Sequence, residues 1–255
     1  MKNKAYISVV SHAQETLIID NFASLTSQTK EYEIVLCLVD NTGSHALKKF
    51  AEKNGHLYHH DGIVRGFGEN HNKGFEVCNP NKDDVFIVCN PDIIIDNEQL
   101  EGMLETFQDN AYEMGNVECY YDKEKTILSN PDRHFPCFLN FVFSIALGKR
   151  FHYGSNADVK FPQWVSGEFF MIQPEAYRTI GGFDEDYFMY VEDVDFSYRM
   201  RQQGFEIYHD KKHFIIHETQ MASRSLLSSS FRMHLKSVWT YLYKNRQFCL
   251  LKTTK

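Results

Sequence analysis

The sequence predicts an α/β fold: a mostly parallel central sheet flanked by helices, with a C-terminal helical appendage. Three observations carry that expectation. The apolar runs in the first 90 residues are continuous rather than alternating, as in strands covered on both faces. Stretches of helical period separate those runs. Two of the runs end abruptly in acids, Asp40 and Asp92, and sheets of this kind bind ligands beyond the carboxyl ends of their strands.

Taken in order, residues 5–12 (AYISVVSH) read as a strand, and a helical pattern runs from Gln14 to about Ser27. Residues 33–41 (EIVLCLVDN) form the second strand, with a short helix near 44–53. HLYHH at 56–60 reads as a third strand, RGFGENHNKG at 65–74 as a glycine loop, and DDVFIVCNPD at 83–92 as a fourth apolar run. A helix begins near Asn97. The second half is less regular. It holds FPCFLNFVFSIALG at 135–148, FPQWVSGEFFMI at 161–172, the Gly181-Gly182 pair and FMYVEDVDFSYRM at 188–200. The helix begun by that acidic stretch ends at Gly204, a residue suited to the position just past a helix. Two short strands, FEIYH at 205–209 and HFIIH at 213–217, precede the tail. No repeat, low-complexity segment or long linker divides the chain.

Of the 255 residues, 43% are hydrophobic and 24% charged, an ordinary globular balance, whereas the 21 Phe and 14 Tyr signal a large core with surface left for stacking. The six cysteines form no CxxC pair and several lie in apolar runs, so they read as reduced core thiols of a cytoplasmic protein. The apolar stretch after Lys4 breaks at Ser11-His12, unlike a signal peptide. No segment reaches the roughly 20 apolar residues of a membrane span. The uncharged stretch 135–148, followed by Lys149-Arg150, reads as a buried helix, with a lipid contact as the second reading. The net charge of −7 is unevenly spread. From Thr219 onward there is no Asp or Glu, while Arg224, Arg232, Lys236, Lys244, Arg246, Lys252 and Lys255 are basic; the first 218 residues hold 20 basic against 34 acidic residues, a net −14. Leu235, Val238, Trp239, Leu242 and Tyr243 recur in that tail at helical spacing. Two readings stand for it: an interfacial helix, or a terminal helix packed on the domain with its basic side in water.

Cofactor chemistry narrows next. A dinucleotide fingerprint needs G-x-G-x-x-G directly after the first strand. Here Gly66 and Gly68 are followed by His71 in place of the third glycine, and they follow the third strand. G-x-x-x-x-G-K-[ST] is absent too. A Rossmann dehydrogenase and a P-loop NTPase are both disfavoured. Asp92 is a lone carboxylate at the end of a buried strand, which is costly unless paired or bound to a cation. One reading is a divalent metal on a nucleotide diphosphate; the other is a cap for the helix near Asn97, or closure of the Asn-Pro-Asp turn. In the acidic stretch, 100° per residue puts Glu192, Asp195, Arg199 and Gln202 on one polar face. Asp193 instead heads a stripe with Phe196, Ser197 and Met200. A carboxylate there is desolvated and its pKa raised, as suits a general base.

VDN at 39–41, GFGENHNKG at 66–74, NPD at 90–92, WVSGEFFMI at 164–172, GGFDEDYFMYVEDVDFSYR at 181–199 and then His217 form an ordered set. Each part is weak alone. Together they resemble glycosyltransferase family 2 enzymes of the GT-A fold, of the bacterial rhamnosyltransferase type, nearly end to end. The resemblance implies a catalytic domain over 1–218, with a nucleotide-sugar half (1–95) and an acceptor half (96–218), ahead of the tail (219–255). It implies that Asp40, with Asn41, meets the nucleobase or ribose, and that Gly66, Phe67, Gly68 and Asn70 lie near the nucleotide. Asn90 and Asp92 would meet the donor diphosphate, Asp92 through Mg²⁺ or Mn²⁺. Asn90 replaces the Asp of the stricter pattern, which weakens the metal expectation. His217 is a second metal ligand by resemblance, or a strand-end core histidine. Trp164, Ser166, Gly167, Glu168 and Glu192 would face the acceptor. Glu168 departs from the family's usual Ala; it either bonds an acceptor hydroxyl or is simply exposed. Asp193 would be the base.

The implied reaction is an inverting transfer, with dTDP-β-L-rhamnose as donor and a polyprenyl-diphosphate-linked saccharide as acceptor, at the inner face of the cytoplasmic membrane in surface-polysaccharide assembly. No nucleic-acid partner is expected. Siblings using a UDP-hexose or galactofuranose donor, a non-catalytic sugar-nucleotide or glycan-binding relative, and a membrane-surface scaffold are the alternatives.

Overall fold

The computed structural model describes residues 2–147, 152–218 and 229–246. Strands β1 (Asn3–Ser11), β2 (Tyr32–Asp40), β3 (Leu57–His59) and β4 (Val85–Cys89) lie parallel in the order β3-β2-β1-β4. Helices α1 (Glu15–Phe22), α2 (His45–Asn54) and α3 (Phe67–Cys78) make the crossovers. The sheet continues beyond β4 with β7 (Phe169–Ile172), β6 (Met114–Tyr120), β8 (Ile207–His217) and β5 (Ile93–Ile94). There β7 runs antiparallel to both β4 and β6, while β6 and β8 are parallel. The remaining helices are α4 (Asn97–Asp109), α5 (Phe138–Leu147), α6 (Pro174–Ile180), α7 (Glu192–Gln202) and α8 (Ser229–Lys244).

The continuous apolar runs have the expected cause. Ile7, Leu36, Leu38 and Ile87 point to one face, where Ile18, Phe22, Leu47, Leu100 and Leu104 cover them. Val35, Val39, Phe86 and Val88 point to the other, beneath Cys78, Tyr177, Phe196 and Met200. The five described cysteines are free thiols; Cys249 lies outside the described residues.

Four expectations change. The glycine segment is no loop. Gly66 is its N-cap, and Gly68 and Gly74 sit inside α3, buried. A Cβ at Gly68 would meet Phe183 Cβ at 2.7 Å, and one at Gly74 would meet Ser8 Oγ at 2.6 Å; the glycines admit close packing. Second, FEIYH and HFIIH are one strand. Val117 pairs with Asp210 and Glu118 with Phe214, so residues 211–213 bulge out of register, stapled by His213 Nδ1 to Asp210 at 2.6 Å. Third, the helix in 135–148 is not buried all round. Phe141 is buried, but Phe138, Val142, Phe143 and Leu147 are exposed.

Fourth, α7 has no water-facing side at Glu192 and Asp195. Both are buried, Asp195 to 1% exposure. For Asp195 the cause is α8, which folds back over α7. Tyr241, Leu242 and Val238 share a cluster with Phe141, Trp164, Tyr187 and Val194, Asn245 Nδ2 donates to Asp195 at 2.8 Å, and Arg199 Nε donates to the same carboxylate at 2.8 Å. Of the two readings of the tail, packing on the domain holds for this inner side. Arg232, Leu235, Lys236, Trp239, Tyr243 and Arg246 remain exposed on the other. Arg224, Lys252 and Lys255, like Lys149 and Arg150, lie outside the described residues. Among the described residues no helix is long and apolar enough to cross a membrane.

Candidate active site at the carboxyl edge of the sheet

Asp40 ends β2 and is 3% exposed. Its Oδ1 accepts from Thr42 N (2.9 Å) and Thr42 Oγ1 (2.8 Å), its Oδ2 from Ser44 N (2.5 Å) and Tyr58 OH (3.0 Å). A carboxylate has about four acceptor positions, and all are filled. Burial alone would raise its pKa; these hydrogen bonds override burial and lower it. Those bonds fix the carboxylate at the turn into α2.

Asn41 and Asn70 are likewise committed. Asn41 Nδ2 donates to Arg65 O, and Asn41 Oδ1 accepts from Arg65 N and Asn70 Nδ2. Asn70 Nδ2 also reaches Arg65 O and Gly66 O. The network pins residues 65–66 against the acidic segment, where Phe67 N donates to Phe188 O at 2.9 Å. A Cβ on Gly66 would lie 2.2 Å from that oxygen, so glycine is required there.

The acidic segment is strained. Tyr190 (φ 72°) and Val191 (φ 68°) both occupy the left-handed region, costly for a β-branched residue. Ser237 Oγ from α8 holds Met189 O at 2.8 Å, while Phe188, Met189 and Tyr190 present exposed side chains. The strained turn opens directly into α7 and aims Asp193 at Gly167.

Gly167 and Glu168, just before β7, tie the site together. Gly167 N donates to Asp193 Oδ2 (3.1 Å) and Val194 N to Asp193 Oδ1 (2.8 Å). Two of the carboxylate's four acceptor positions stay open. Burial raises the Asp193 pKa; the two N–H donors and Arg133 oppose it without cancelling it. Beside it, burial and then the charge of Asp193 push Glu192 up to about 8, and Glu192 Oε2 is buried without a partner. Two negative charges side by side in this buried place disfavour each other, and both carboxyls are pushed up.

Glu168 does not face outward to an acceptor. Its Oε2 lies 3.2 Å from His217 Nδ1, its Oε1 3.6 Å from Arg133 Nη2, and its backbone oxygen accepts from Asn90 N at 2.9 Å. Burial disfavours its charge, but His217 and Arg133 win and lower its pKa. His217 Nε2, on the opposite edge of the ring, is 3.0 Å from Asp92 Oδ1. Burial lowers His217, yet Asp92, Cys119 and Glu168 override it and push it up to about 12. The surroundings thus demand positive charge between Asp92 and Glu168. Asp92 Oδ1 is buried and meets only His217 Nε2, short of its acceptor capacity, and a hard divalent cation fits that atom and the imidazole beside it. Asp92 does not cap the helix near Asn97: Asp96 does, accepting from Gln99 N at 2.8 Å.

Trp164 is buried, its Nε1 donating to His134 O (2.9 Å) and its ring under Arg133 at 4.9 Å. Its ring thus packs against Arg133, whereas Ser166 is half-buried at the edge of the site. Sequence reasoning missed Arg133 and Cys119. Arg133 is a single basic residue in an irregular stretch, NPDRHFP, and only the ion pair with Glu168 gives it meaning. Cys119 sits in β6 with the look of a core thiol; its Sγ, Glu168 and a ring nitrogen of His217 all lie within 4.8 Å of one another.

The Glycosyl transferase family 2 model matches residues 6–228. The chain is 29% identical over 252 residues, 94% of its length and 93% of the relative's, to the rhamnosyltransferase WbbL of Escherichia coli K12. It is 34% identical over 80 residues to the N-acetylglucosaminyl-diphospho-decaprenol L-rhamnosyltransferase of Mycobacterium tuberculosis, 31% of this chain and 26% of that one. Among solved structures, the mannosyltransferase PcManGT of Pyrobaculum calidifontis, bound to GDP-Man and Mn²⁺, superposes with a TM-score of 0.58 at 13% identity, over 87% of this chain and 59% of that one. GalNAc-T7 with UDP, GalNAc and Mn²⁺ gives 0.65 at 10% identity, over 99% of this chain and 52% of that one. The chain thus spans little more than half of either solved neighbour, and at those identities the likeness carries the fold alone. The chain belongs to glycosyl transferase family 2: it is a glycosyltransferase with the GT-A fold.

Proposed function

We propose that the protein is an inverting rhamnosyltransferase that takes L-rhamnose from dTDP-β-L-rhamnose and places it on a hydroxyl of a polyprenyl-diphosphate-linked saccharide. The observation that carries the reading is the Gly167-Glu168 junction. On one side it holds a desolvated, half-satisfied carboxylate, Asp193; on the other it holds His217 against Asp92. Asp193 accepts the proton of the acceptor hydroxyl as that oxygen attacks the anomeric carbon. The bond to the nucleotide diphosphate breaks from the opposite face, inverting the configuration. Asp92 and His217 would hold Mg²⁺ or Mn²⁺, which supplies charge stabilisation for the departing diphosphate. Both solved neighbours carry Mn²⁺, and the two rhamnosyltransferase relatives support the donor sugar.

A lipid-linked acceptor accords with the surface beside the site. Phe141 of α5 meets Tyr241 of α8. The two helices expose Phe138, Val142, Phe143 and Leu147, and Leu235, Trp239 and Tyr243. With Arg232 and Lys236 among them, these side chains suit the inner face of an anionic cytoplasmic membrane. Replacing Trp239 and Tyr243 with Ser should weaken binding to phosphatidylglycerol vesicles several-fold without unfolding; unchanged vesicle binding would remove the membrane from this reading.

The functional test is a donor panel with Mn²⁺ and a polyprenyl-diphosphate-GlcNAc acceptor. dTDP-rhamnose should be consumed with inversion. A hexosyltransferase of Haloferax volcanii, 24% identical over 90% of this chain, makes a UDP-hexose the second donor to include. Transfer from that donor alone would replace rhamnose.

A further inference from the structure

Position 90 presents a puzzle. A divalent cation on a diphosphate is held best by carboxylates, and here the strand-end motif offers Asn90 and the single carboxylate Asp92. A neutral amide leaves the site one negative charge short. A further buried carboxylate, Glu168, lies behind His217, across the ring from Asp92.

We propose that Glu168 is a positioning residue for the donor metal: acting through His217, its buried carboxylate supplies the negative charge that Asn90 lacks. The inference rests on the metal reading of Asp92 and His217 above. Three observations support it. The ring of His217 spans two carboxylates, Glu168 at Nδ1 (3.2 Å) and Asp92 at Nε2 (3.0 Å). An imidazole that donates Nδ1–H to a carboxylate is fixed in the tautomer whose Nε2 lone pair is free, and it becomes a stronger ligand. Here Nε2 faces Asp92, where a bound cation would take the place of the ring proton that the two carboxylates otherwise favour. Glu168 is also bound to the metal motif through its backbone, since its oxygen accepts from Asn90 N at 2.9 Å. Any displacement of position 168 therefore moves both ends of the site.

Arg133 keeps the carboxylate in place. Its guanidinium donates to Ser129 Oγ (2.7 Å) and Asn130 O (2.9 Å), lies over the Trp164 ring, and approaches Glu168 Oε1 at 3.6 Å. The same cation argues against a separate metal among Cys119, Glu168 and His217. A second positive ion there would face the guanidinium and compete for the nitrogen that already meets Glu168. The arrangement is a chain of alternating charge, Arg133, Glu168, His217, Asp92, with the open end at the donor side.

A purely structural Glu168, present only to neutralise Arg133, is the opposing account, and metal binding separates the two. Mn²⁺ affinity is measured by the electron paramagnetic resonance signal of free Mn²⁺, with dTDP present, on the full chain. Glu168→Gln keeps the shape and removes the charge. It should weaken Mn²⁺ binding roughly 10–100-fold, the size found for partners of metal-binding histidines, with the circular dichroism spectrum unchanged. Adding Asn90→Asp to Glu168→Gln should restore most of that affinity, a rescue that a structural role would not produce. If Glu168→Gln does not fold, the double variant Glu168→Gln/Arg133→Met removes the stranded guanidinium and carries the same expectation. Wild-type affinity in a folded Glu168→Gln protein, or a loss that Asn90→Asp leaves unchanged, would overturn the proposal. His217→Ala binding Mn²⁺ as tightly as wild type would instead overturn the metal reading itself.

Discussion

The polar residues at the ends of β2 and α3 and those around Gly167 were drawn from the same kind of motif, yet they differ in one countable property. In the first region most hydrogen-bonding capacity is spent, the buried Asn70 Oδ1 excepted. Asp40 accepts four bonds, and Asn41 and Asn70 bond each other and the 65–66 backbone. In the second it is held open. Asp193 accepts two, Glu192 Oε2 accepts none, and Asp92 Oδ1 meets only His217. Each holds a buried carboxylate, Asp40 in one and Glu192 in the other, so burial alone does not distinguish them. The difference teaches that a carboxylate whose lone pairs are all taken builds shape, and one kept short of partners in a low-dielectric place is available for chemistry.

The contrast breaks most easily at Asp193. Asp193→Asn should cut turnover about 10²–10⁴-fold, with dTDP-rhamnose affinity by isothermal titration almost unchanged; near-normal turnover would end its assignment as base. The wild-type pH profile gives the same contrast a second reading. A base acts ionised, and burial has raised this one. Activity should therefore fall on the acid side through a value above the roughly 3.9 of a free aspartate.

Glu192 sharpens the comparison through stability. Its folded pKa of about 8 exceeds the unfolded value, so the folded state holds the extra proton. Stability is then lost as pH rises from about 4 toward 8, on the order of 3 kcal/mol by pH 7. Glu192→Gln should recover most of this at pH 7 and none at pH 4, read from urea unfolding at the two values. An equal gain at both would mean that the carboxyl is not held protonated.

The smallest effect is expected at Asp40, and it should fall on the fold. Asp40→Asn turns an amide N–H₂ toward donors and should cost about 2 kcal/mol of stability. Turnover per folded molecule should change less than tenfold. A collapse in donor affinity with stability intact would return Asp40 to the nucleotide.

Much of this was legible along the chain. The period of the apolar runs announced a sheet covered on both sides, the strand ends located its functional edge, and motif order indicated the family. The helical phase of α7 also singled out Asp193, because Phe196, Ser197 and Met200 share its side. The same phase misplaced Glu192 and Asp195; for Asp195, no local pattern records that α8 returns to cover it. Glycines read as a loop at 66–74 because glycine marks loops and tight packing alike. Only the approach of Phe183 and Ser8 separates those two uses.

The sequence by itself determined what is periodic or contiguous: the strands, the crossovers, the acids at the sheet edge and the family order. Tertiary structure alone decided which carboxylates are spent and which remain open, and that Arg133, Glu168, His217 and Asp92 form a line. The reason is physical. Periodicity is carried by neighbours along the chain, whereas Gly167 reaches Asp193 from 26 positions away and His217 reaches Asp92 from 125, contacts that form only when the sheet closes.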